Sequence, residues 1–287
     1  MDAFVDNRTT ADAGLLAHWG LAEPPFVSLC DPRWFYQSGP HEEAIARLTF
    51  AFENRRRLAV LNGSRGTGKS LTLAVVAHTI RRTGGDVCLF DLAGRTGDDF
   101  AWSLAAGLKL GLSVDTPMSL VWRRIDEHLD GRRDAHLPVT LLCDHFGSCE
   151  QSTISAIERL LRSEELGRSL TVIIAGRPGE LPSSFQDLAD LRVHLEPLDL
   201  RETHGYVTGL LEAAGATRAI FDHEALDELH ALSGGLPREI NRIAELALLA
   251  GQCDGAERIS ESLLRNAAAE ARVERLRRRP TRELVAG

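Results

Sequence analysis

Residues 58–70 read LAVLNGSRGTGKS, and this segment sets the fold class of the chain. Its first part, Leu58–Leu61, is an apolar run that is as long as a short buried strand. A helix is predicted from Lys69 to about Arg82. Between them, residues 63–70 fit the pattern G-x-x-x-x-G-K-S, whose glycines let backbone N–H groups curl around phosphate oxygens. A strand before the loop and a helix after it are the context in which this pattern binds nucleotide phosphates. The segment therefore predicts a nucleotide-binding P-loop.

The P-loop pattern predicts roles for its individual residues. The Lys69 ammonium is expected to reach the β- and γ-phosphates, and the Ser70 hydroxyl is expected to ligate Mg²⁺. The helix that opens at Lys69 adds the positive end of its dipole. ATP and Mg²⁺ are therefore the predicted cofactors. The residues expected to surround the nucleotide are Gly63, Ser64, Arg65, Gly66, Thr67, Gly68, Lys69 and Ser70.

Apolar runs alternate with helical segments on the C-terminal side of the P-loop. Further strands are predicted at Val87–Leu92, Val139–Cys143, Leu170–Ala175 and Val193–Leu195. Helices are predicted at 41–54, 98–111, 118–130 and 151–166, in addition to the one after the loop. Strands that are apolar throughout and separated by helices indicate a parallel sheet covered on both faces. The predicted fold class is an α/β P-loop NTPase.

The C-terminal third of the chain has a different pattern. After Pro197 no further strand is predicted, and the helices expected there lie near 200–214, 222–232, 237–251 and 259–278. This all-helical end piece is interpreted as a lid. The predicted domains are a tail and lead-in at 1–40, the P-loop domain at 41–198, and the helical lid with a basic tail at 199–287.

Two residues at the end of the third predicted strand are candidates for chemistry. Asp144 follows an apolar run, where an aspartate is expected to hold Mg²⁺ through water. The alternative is that it caps the next turn. His145 stands where nucleotide hydrolases of this build carry the glutamate that activates the attacking water, and it is either a weak base or only a polar strand end. Glu150 could replace that glutamate only if the loop folds back, so slow hydrolysis is predicted.

Arginines further along the chain are candidates for contacts with the nucleotide or a partner. Arg177 follows the fourth predicted strand and is either a γ-phosphate sensor or a surface arginine. Arg238 lies in the first turn of a predicted helix, where the dipole disfavours a positive charge, so a phosphate is expected to hold it. The C-terminal basic cluster is either a solvated helix end or a site for an acidic or nucleic-acid partner. This cluster consists of Arg272, Arg275, Arg277, Arg278, Arg279 and Arg282.

The composition of the chain excludes several classes of protein. With 44% hydrophobic and 26% charged residues, the chain is globular rather than disordered or collagen-like. Its 33 basic and 41 acidic residues give a net charge of -8, which argues against nucleic-acid binding by the whole surface. The five cysteines show no C-x-x-C spacing and indicate neither zinc nor disulfides. Because the N-terminus has no apolar signal core and no apolar run approaches ~20 residues, we expect a cytoplasmic protein without a membrane span.

Several segments between about His18 and Ala250 together resemble one family. They are HWGLAEPPF, DPRWFYQSGPHEEAIARL, LAVLNGSRGTGKS, TVIIAGRPGEL, HLEPLDLRETHGYVTGLLEAAG and SGGLPREINRIAELALLAG. This series resembles the AAA+ ATPases of the general secretion pathway A type, which are similar to transposition helper ATPases. The resemblance implies an ATPase module with a helical lid that oligomerises around nucleotide.

The same resemblance implies roles for individual residues. Lys69 and Ser70 match the Walker A motif, and Asp144 matches the Walker B aspartate. Arg177 lies at the sensor 1 position, and Arg238 matches the sensor 2 arginine.

Three departures from the family pattern bear on function. His145 stands where the family's D-E-A-Q carries glutamate. Residues 186–191 (QDLADL) lack the arginines that precede the family's H-L-E-P-L. Arg192 is therefore left as the candidate arginine finger, a side chain that reaches the nucleotide of a neighbouring subunit. The sequence also ends without the membrane helix and cell-wall-binding region of the secretion members, which argues against a role in secretion.

The expected function is that of an ATPase that uses ATP binding and hydrolysis to assemble or remodel a partner complex, as a homo-oligomer with an unidentified protein partner. One alternative is a nucleotide-dependent switch or scaffold that does not hydrolyse ATP, which His145 favours. Another is a DNA-associated ATPase of the transposition type, which the basic cluster Arg272–Arg282 favours.

Overall fold

The computed structural model describes residues 13–26, 31–163 and 169–277, with side chains described up to residue 270. The C-terminal basic cluster Arg272–Arg282 lies outside the described side chains. The chain divides into two compact units. The sheet unit comprises the described part of Cys30–Glu196, and the helical unit comprises the described parts of Met1–Leu29 and Pro197–Gly287. The domain boundaries expected from the sequence remain a prediction.

A parallel sheet forms the centre of the sheet unit. Its strands are β1 (Leu58–Gly63), β2 (Asp86–Asp91), β3 (Val139–Asp144), β4 (Leu170–Gly176) and β5 (Leu191–Leu195). They are ordered β2-β3-β4-β1-β5, and every neighbouring pair is parallel. All residues of β3 and β4 are buried, as expected for inner strands that are covered on both faces. The predicted α/β fold with a parallel sheet is confirmed.

The helices begin and end close to the predicted positions. In chain order they are α1 (residues 13–19), α2 (Gly39–Glu53), α3 (Lys69–Arg82), α4 (Gly97–Gly107), α5 (Met118–Asp134), α6 (Gln151–Arg162), α7 (Ser183–Leu188), α8 (Leu200–Ala213), α9 (His223–Ser233), α10 (Pro237–Cys253) and α11 (Glu261–Arg277). The sequence did not predict α1 or α7. Seven residues of α1 are described, and α7 is six residues long. Stretches this short do not show a clear helical period. Among the described helices, none combines the length and the apolar character that crossing a membrane requires.

Two apolar layers sandwich the sheet. Because side chains alternate along a strand, Leu58 and Val60 of β1 point into one layer, with residues of α4, α5 and α6. Ala59 and Leu61 point into the other layer, with residues of α2 and α3. Strand β1 is thus held from both faces. The loop that follows Gly63 therefore starts from a fixed position.

The helical unit joins the N-terminal helix to the C-terminal ones. Trp19 of α1 is 1% exposed, and its indole N–H donates a hydrogen bond of 3.0 Å to the carbonyl of Leu248 in α10. The Ala22 N–H donates to the carbonyl of Ala214 at 2.7 Å. Residues 13–26 therefore pack with this unit although 229 positions separate Trp19 from Leu248. After Pro197 the described residues contain no strand, only an isolated parallel bridge between Phe221 and Ile259.

Gly235 fixes the start of α10. Its carbonyl accepts a hydrogen bond of 2.9 Å from the Leu198 N–H, and its φ of +70° lies in the left-handed region. A Cβ atom at this position would lie only 2.0 Å from the Leu198 carbonyl oxygen. Glycine is therefore required here. The contact holds the turn that leads into Pro237 and Arg238, the first two residues of α10.

Candidate nucleotide-binding site

The P-loop connects β1 to α3 through a turn that needs glycine. Gly66 and Gly68 have φ values of +93° and +99°, a conformation that is strained for residues with a Cβ atom. Gly68 is the N-cap of α3, and its carbonyl accepts the Thr72 N–H at 2.9 Å. The helix consequently begins at Lys69, as predicted.

Hydrogen bonds within the P-loop fix its shape and the position of the Lys69 ammonium. Lys69 Nζ donates to the carbonyl oxygens of Gly63 at 2.8 Å and Ser64 at 2.9 Å. The Thr67 hydroxyl donates to the Ser64 carbonyl at 3.0 Å, which closes the turn. The side chains of Ser64 and Arg65 are exposed. These bonds hold the Lys69 charge at the N-terminal end of α3, where a helix attracts phosphate.

Ser70 and Asp144 are chemically suited to a magnesium ion. Val60 of β1 and Cys143 of β3 both pair with Ile174 of β4, so the ends of β1 and β3 lie two strand spacings apart, about 10 Å. Asp144 is only 7% exposed. A buried carboxylate needs a compensating charge. A hydroxyl and a carboxylate are the oxygen ligands that Mg²⁺ prefers.

The His145 side chain faces two carboxylates. Its backbone has φ 55° and ψ 35°, in the left-handed region, and its N–H donates to Asp144 Oδ1 at 2.8 Å. His145 Nδ1 lies 3.0 Å from Asp91 Oδ1 and 3.6 Å from Asp144 Oδ2. Asp91 reaches the ring because it pairs directly with Asp144 in the register of β2 and β3. A carboxylate at Nδ1 favours the tautomer with its proton there, which leaves Nε2 as a proton acceptor.

Arg177 forms an ion pair with a residue that the sequence analysis did not single out. The Arg177 N–H donates to Glu180 Oε2 at 2.8 Å, and its guanidinium pairs with Glu180 Oε1. Burial raises the pKa of the Glu180 carboxyl, but the hydrogen bonds from Arg177 and the charges of Arg177 and Lys69 outweigh it and hold this pKa below its usual value. Glu180 therefore stays charged and positions the guanidinium at the end of β4. Sensing of the γ-phosphate by Arg177 remains a prediction.

His41 supports the P-loop from α2. Its ring is buried, and its Nε2–H donates to the Thr67 carbonyl at 2.9 Å. Its Nδ1 lies 2.7 Å from Ser38 Oγ, which acts as the donor. A Cβ atom on Gly68 would come within 2.6 Å of His41 Nε2. No sequence motif pointed to His41, because its partner lies 26 residues away and the contact depends on how α2 packs.

The remaining predicted arginines lie on other elements. Arg238 is exposed in the first turn of α10, in the helical unit. Arg192 is exposed on β5, an edge strand, and its guanidinium donates to the Gln186 carbonyl in α7. Contact of Arg238 with a phosphate, and of Arg192 with a neighbouring subunit, remain predictions. The backbone N–H of Glu150 donates to the Arg95 carbonyl at 3.1 Å, which holds residue 150 beside the loop after β2.

Comparison with known sequences supports the resemblance drawn from the motifs. No protein-family model matches the chain. General secretion pathway protein A of Aeromonas hydrophila is 29% identical over 250 residues, which cover 84% of this chain and 45% of that protein. The chain thus spans less than half the length of this relative. This identity and coverage confirm the resemblance to ATPases of the general secretion pathway A type.

Solved structures confirm the class of fold. Cdc6p of Pyrobaculum aerophilum superposes with a TM-score of 0.70 at 17% identity, over 86% of this chain and 70% of that one. The ORC1 protein of Aeropyrum pernix, solved in complex with DNA, gives 0.64 at 16% identity, over 84% and 68%. The RuvB branch migration motor of Thermotoga maritima gives 0.54 at 14%, over 82% and 69%. The chain has the P-loop fold of the AAA+ type, with a helical C-terminal region.

The P-loop assignment predicts that nucleotide binding depends on Lys69. The substitution Lys69→Ala removes the charge at the start of α3 and should abolish most of the binding of a fluorescent ATP analogue. Lys109→Ala is the matched control, because Lys109 is also a lysine of the sheet unit and is exposed after α4. If Lys69→Ala and Lys109→Ala both bind the analogue as tightly as the wild type, the site is misassigned.

A second prediction concerns His41. His41→Ala leaves the Thr67 carbonyl without its donor and should weaken ATP binding about tenfold, equivalent to ~1.4 kcal/mol. His41→Gln keeps an N–H near the position of Nε2 and should restore part of the affinity. His78→Ala, at an exposed position of α3, is the control and should bind as the wild type. Equal losses in His41→Ala and His41→Gln would mean that the ring only fills space.

Proposed function

We propose that the chain binds ATP with Mg²⁺ and hydrolyses it slowly, and that it uses this cycle to assemble or remodel a partner complex. The observation that carries the proposal is the P-loop itself, with Lys69 held at the start of α3. The buried Asp144 at the end of β3 supports it. When bound, Mg²⁺ supplies positive charge to the β- and γ-phosphates. The roles of Ser70 and Asp144 as its ligands are part of this proposal.

The proposed base for hydrolysis is His145, oriented by Asp91. With Nδ1–H donated to Asp91, Nε2 accepts a proton from the water that attacks the γ-phosphorus, while the bond from this phosphorus to the β,γ-bridging oxygen breaks and ADP leaves. The imidazole becomes an imidazolium, which the carboxylates of Asp91 and Asp144 stabilise. The proton is then released to solvent, since the His145 side chain is about half exposed. Asp91 is a positioning residue here, because it acts through the ring.

This assignment predicts which changes alter turnover. His145→Ala and Asp91→Ala should both lower the basal rate without weakening ATP binding, because a general base acts in the transition state and contributes about 10²–10⁴-fold. His145→Glu should raise turnover. The double variant Asp91→Ala/His145→Glu should raise it further, because the new carboxylate no longer faces Asp91. Asp86→Ala, at the opposite end of β2, is the control and should leave the rate unchanged.

The measurement is steady-state phosphate release at saturating ATP, with a binding titration for each variant. A wild-type rate of several turnovers per second that none of these variants changes would contradict the role of His145. It would favour Glu150 or a residue of a neighbouring subunit as the base.

Arg238 is the proposed γ-phosphate contact from the helical unit. Its charge is exposed in the first turn of α10, where the helix dipole disfavours it, and Gly235 fixes that turn. Arg238→Ala should weaken ATP binding more than ADP binding, by roughly 1.5–3 kcal/mol for a charge-assisted bond. Arg218→Ala, at another exposed position of the same unit, should change neither. Equal losses for ATP and ADP in Arg238→Ala would assign Arg238 a structural role.

The proposal includes assembly around nucleotide in the cytoplasm, with Arg177 near the γ-phosphate and Arg192 toward a neighbouring subunit. A nucleotide switch without hydrolysis is the second candidate, and it is favoured by a histidine in place of the expected glutamate. Nucleic-acid binding through Arg272–Arg282 is the third, and it draws support from the likeness to a protein solved in complex with DNA. Phosphate release with and without DNA, beside an ATP titration, separates the three. DNA-stimulated turnover favours the third, and binding without turnover favours the second.

A further inference from the structure

A cluster of nitrogen and oxygen ligand atoms lies in the helical unit, on residues that the nucleotide site does not use. His204 of α8 faces His223 and Asp227 of α9. His204 Nε2 lies 2.9 Å from Asp227 Oδ1, and His223 Nδ1 lies 3.5 Å from Asp227 Oδ2. One ligand atom from each of the three residues falls within 4.8 Å of the others.

The helices bring these side chains together for simple geometric reasons. His223 and Asp227 are four residues apart in α9, so they lie on the same face of that helix. His204 projects from α8, which packs against α9, and its ring meets the His223 ring edge to face at a centroid distance of 4.8 Å. The three side chains therefore converge from two elements rather than from one flexible loop.

The contacts within the cluster are not those of an ordinary hydrogen-bonded pair. His204 Nε2 and Asp227 Oδ1 are both shielded from solvent, yet neither has a hydrogen-bond partner despite their separation of 2.9 Å. Their directions thus do not suit a bond to each other. Unpaired buried polar atoms cost free energy, and a shared ligand between them removes that cost.

The donor set and the spacing identify the class of ligand. Two imidazole nitrogens and a carboxylate oxygen form a set used by zinc and similar divalent transition metals. Zinc lies about 2.0–2.2 Å from such atoms, so the ligand atoms of a tetrahedral site lie about 3.3–3.6 Å apart. The three ligand atoms here lie within 4.8 Å of one another, so small side-chain movements would bring them to that spacing. Mg²⁺ prefers oxygen ligands only, so the ion that accompanies ATP is not expected to compete here.

We propose that His204, His223 and Asp227 bind a zinc-type divalent metal ion that links α8 to α9, with water completing the coordination. The ion would stabilise the helical unit by binding its folded state. The lack of C-x-x-C spacing in the sequence does not bear on this site, because the site uses no sulfur. The proposal is independent of the proposed nucleotide chemistry and is tested without ATP.

The test is a titration of the full chain, stripped with a chelator, with ZnCl₂ by calorimetry and with CoCl₂ by visible absorption. Wild type should bind one Zn²⁺ at this site, give the absorption of tetrahedral cobalt, and melt at a higher temperature with zinc. His204→Ala and Asp227→Ala should each lower the affinity by at least about tenfold, since losing even an outer partner of a metal ligand costs that much. His78→Ala, at an exposed position of α3, should bind as the wild type.

His223→Ala makes the outcome decisive. The His223 side chain is 76% exposed, so its loss should leave the fold intact, which circular dichroism verifies. This variant should lose the cobalt absorption and the rise in melting temperature while remaining folded. The proposal would be overturned if folded His223→Ala bound zinc as tightly as the wild type. It would also be overturned if the wild type bound no more zinc than the triple variant His204→Ala/His223→Ala/Asp227→Ala.

Discussion

The burial of β1 on both faces is the constraint on which the rest of the site depends. Leu58 and Val60 pack in one apolar layer, and Ala59 and Leu61 pack in the other. Close packing on both faces fixes the position of the strand. A loop with two left-handed glycines would otherwise have many conformations of similar free energy. The loop is anchored by β1 before it and by α3 after it, and the His41 side chain is hydrogen-bonded to its Thr67 carbonyl.

Parallel pairing places the other candidate groups at the same edge of the sheet. All the strands run in one direction, so Asp91, Asp144 and Arg177 follow or end their strands on the side where the P-loop leaves β1. The pairing of Asp91 with Asp144 sets these carboxylates side by side, at the level where β3 ends. The sheet topology therefore gathers several charged candidate groups at the edge where the P-loop leaves β1.

The sequence predicted those parts of the structure that local pattern determines. Gly68 marks the start of α3 at Lys69. The ends of the apolar runs in the sequence lie no more than two residues from the ends of the observed strands. Strand order has no local signature, and so the meeting of Asp91 with His145 could not be foreseen. The same holds for His41 and for Glu180, whose contacts depend on the packing of α2 and on the turn after β4. The cluster of His204, His223 and Asp227 depends on how α8 and α9 pack, and cysteine spacing carries no information about it.

The contact between His145 and Asp91 gives a physical reason for a histidine at position 145. A glutamate in place of His145 would put a third carboxylate beside Asp91 and Asp144, where at 3–4 Å like charges repel each other strongly. A histidine avoids that repulsion and gains an acceptor for its Nδ1 proton, and this interaction fixes the ring so that Nε2 points away from Asp91. The left-handed backbone at residue 145 turns the side chain into this position. An aspartate at the end of β2 thus gives a physical reason why this fold accommodates a histidine at position 145, where the resemblance drawn from the sequence implies a glutamate.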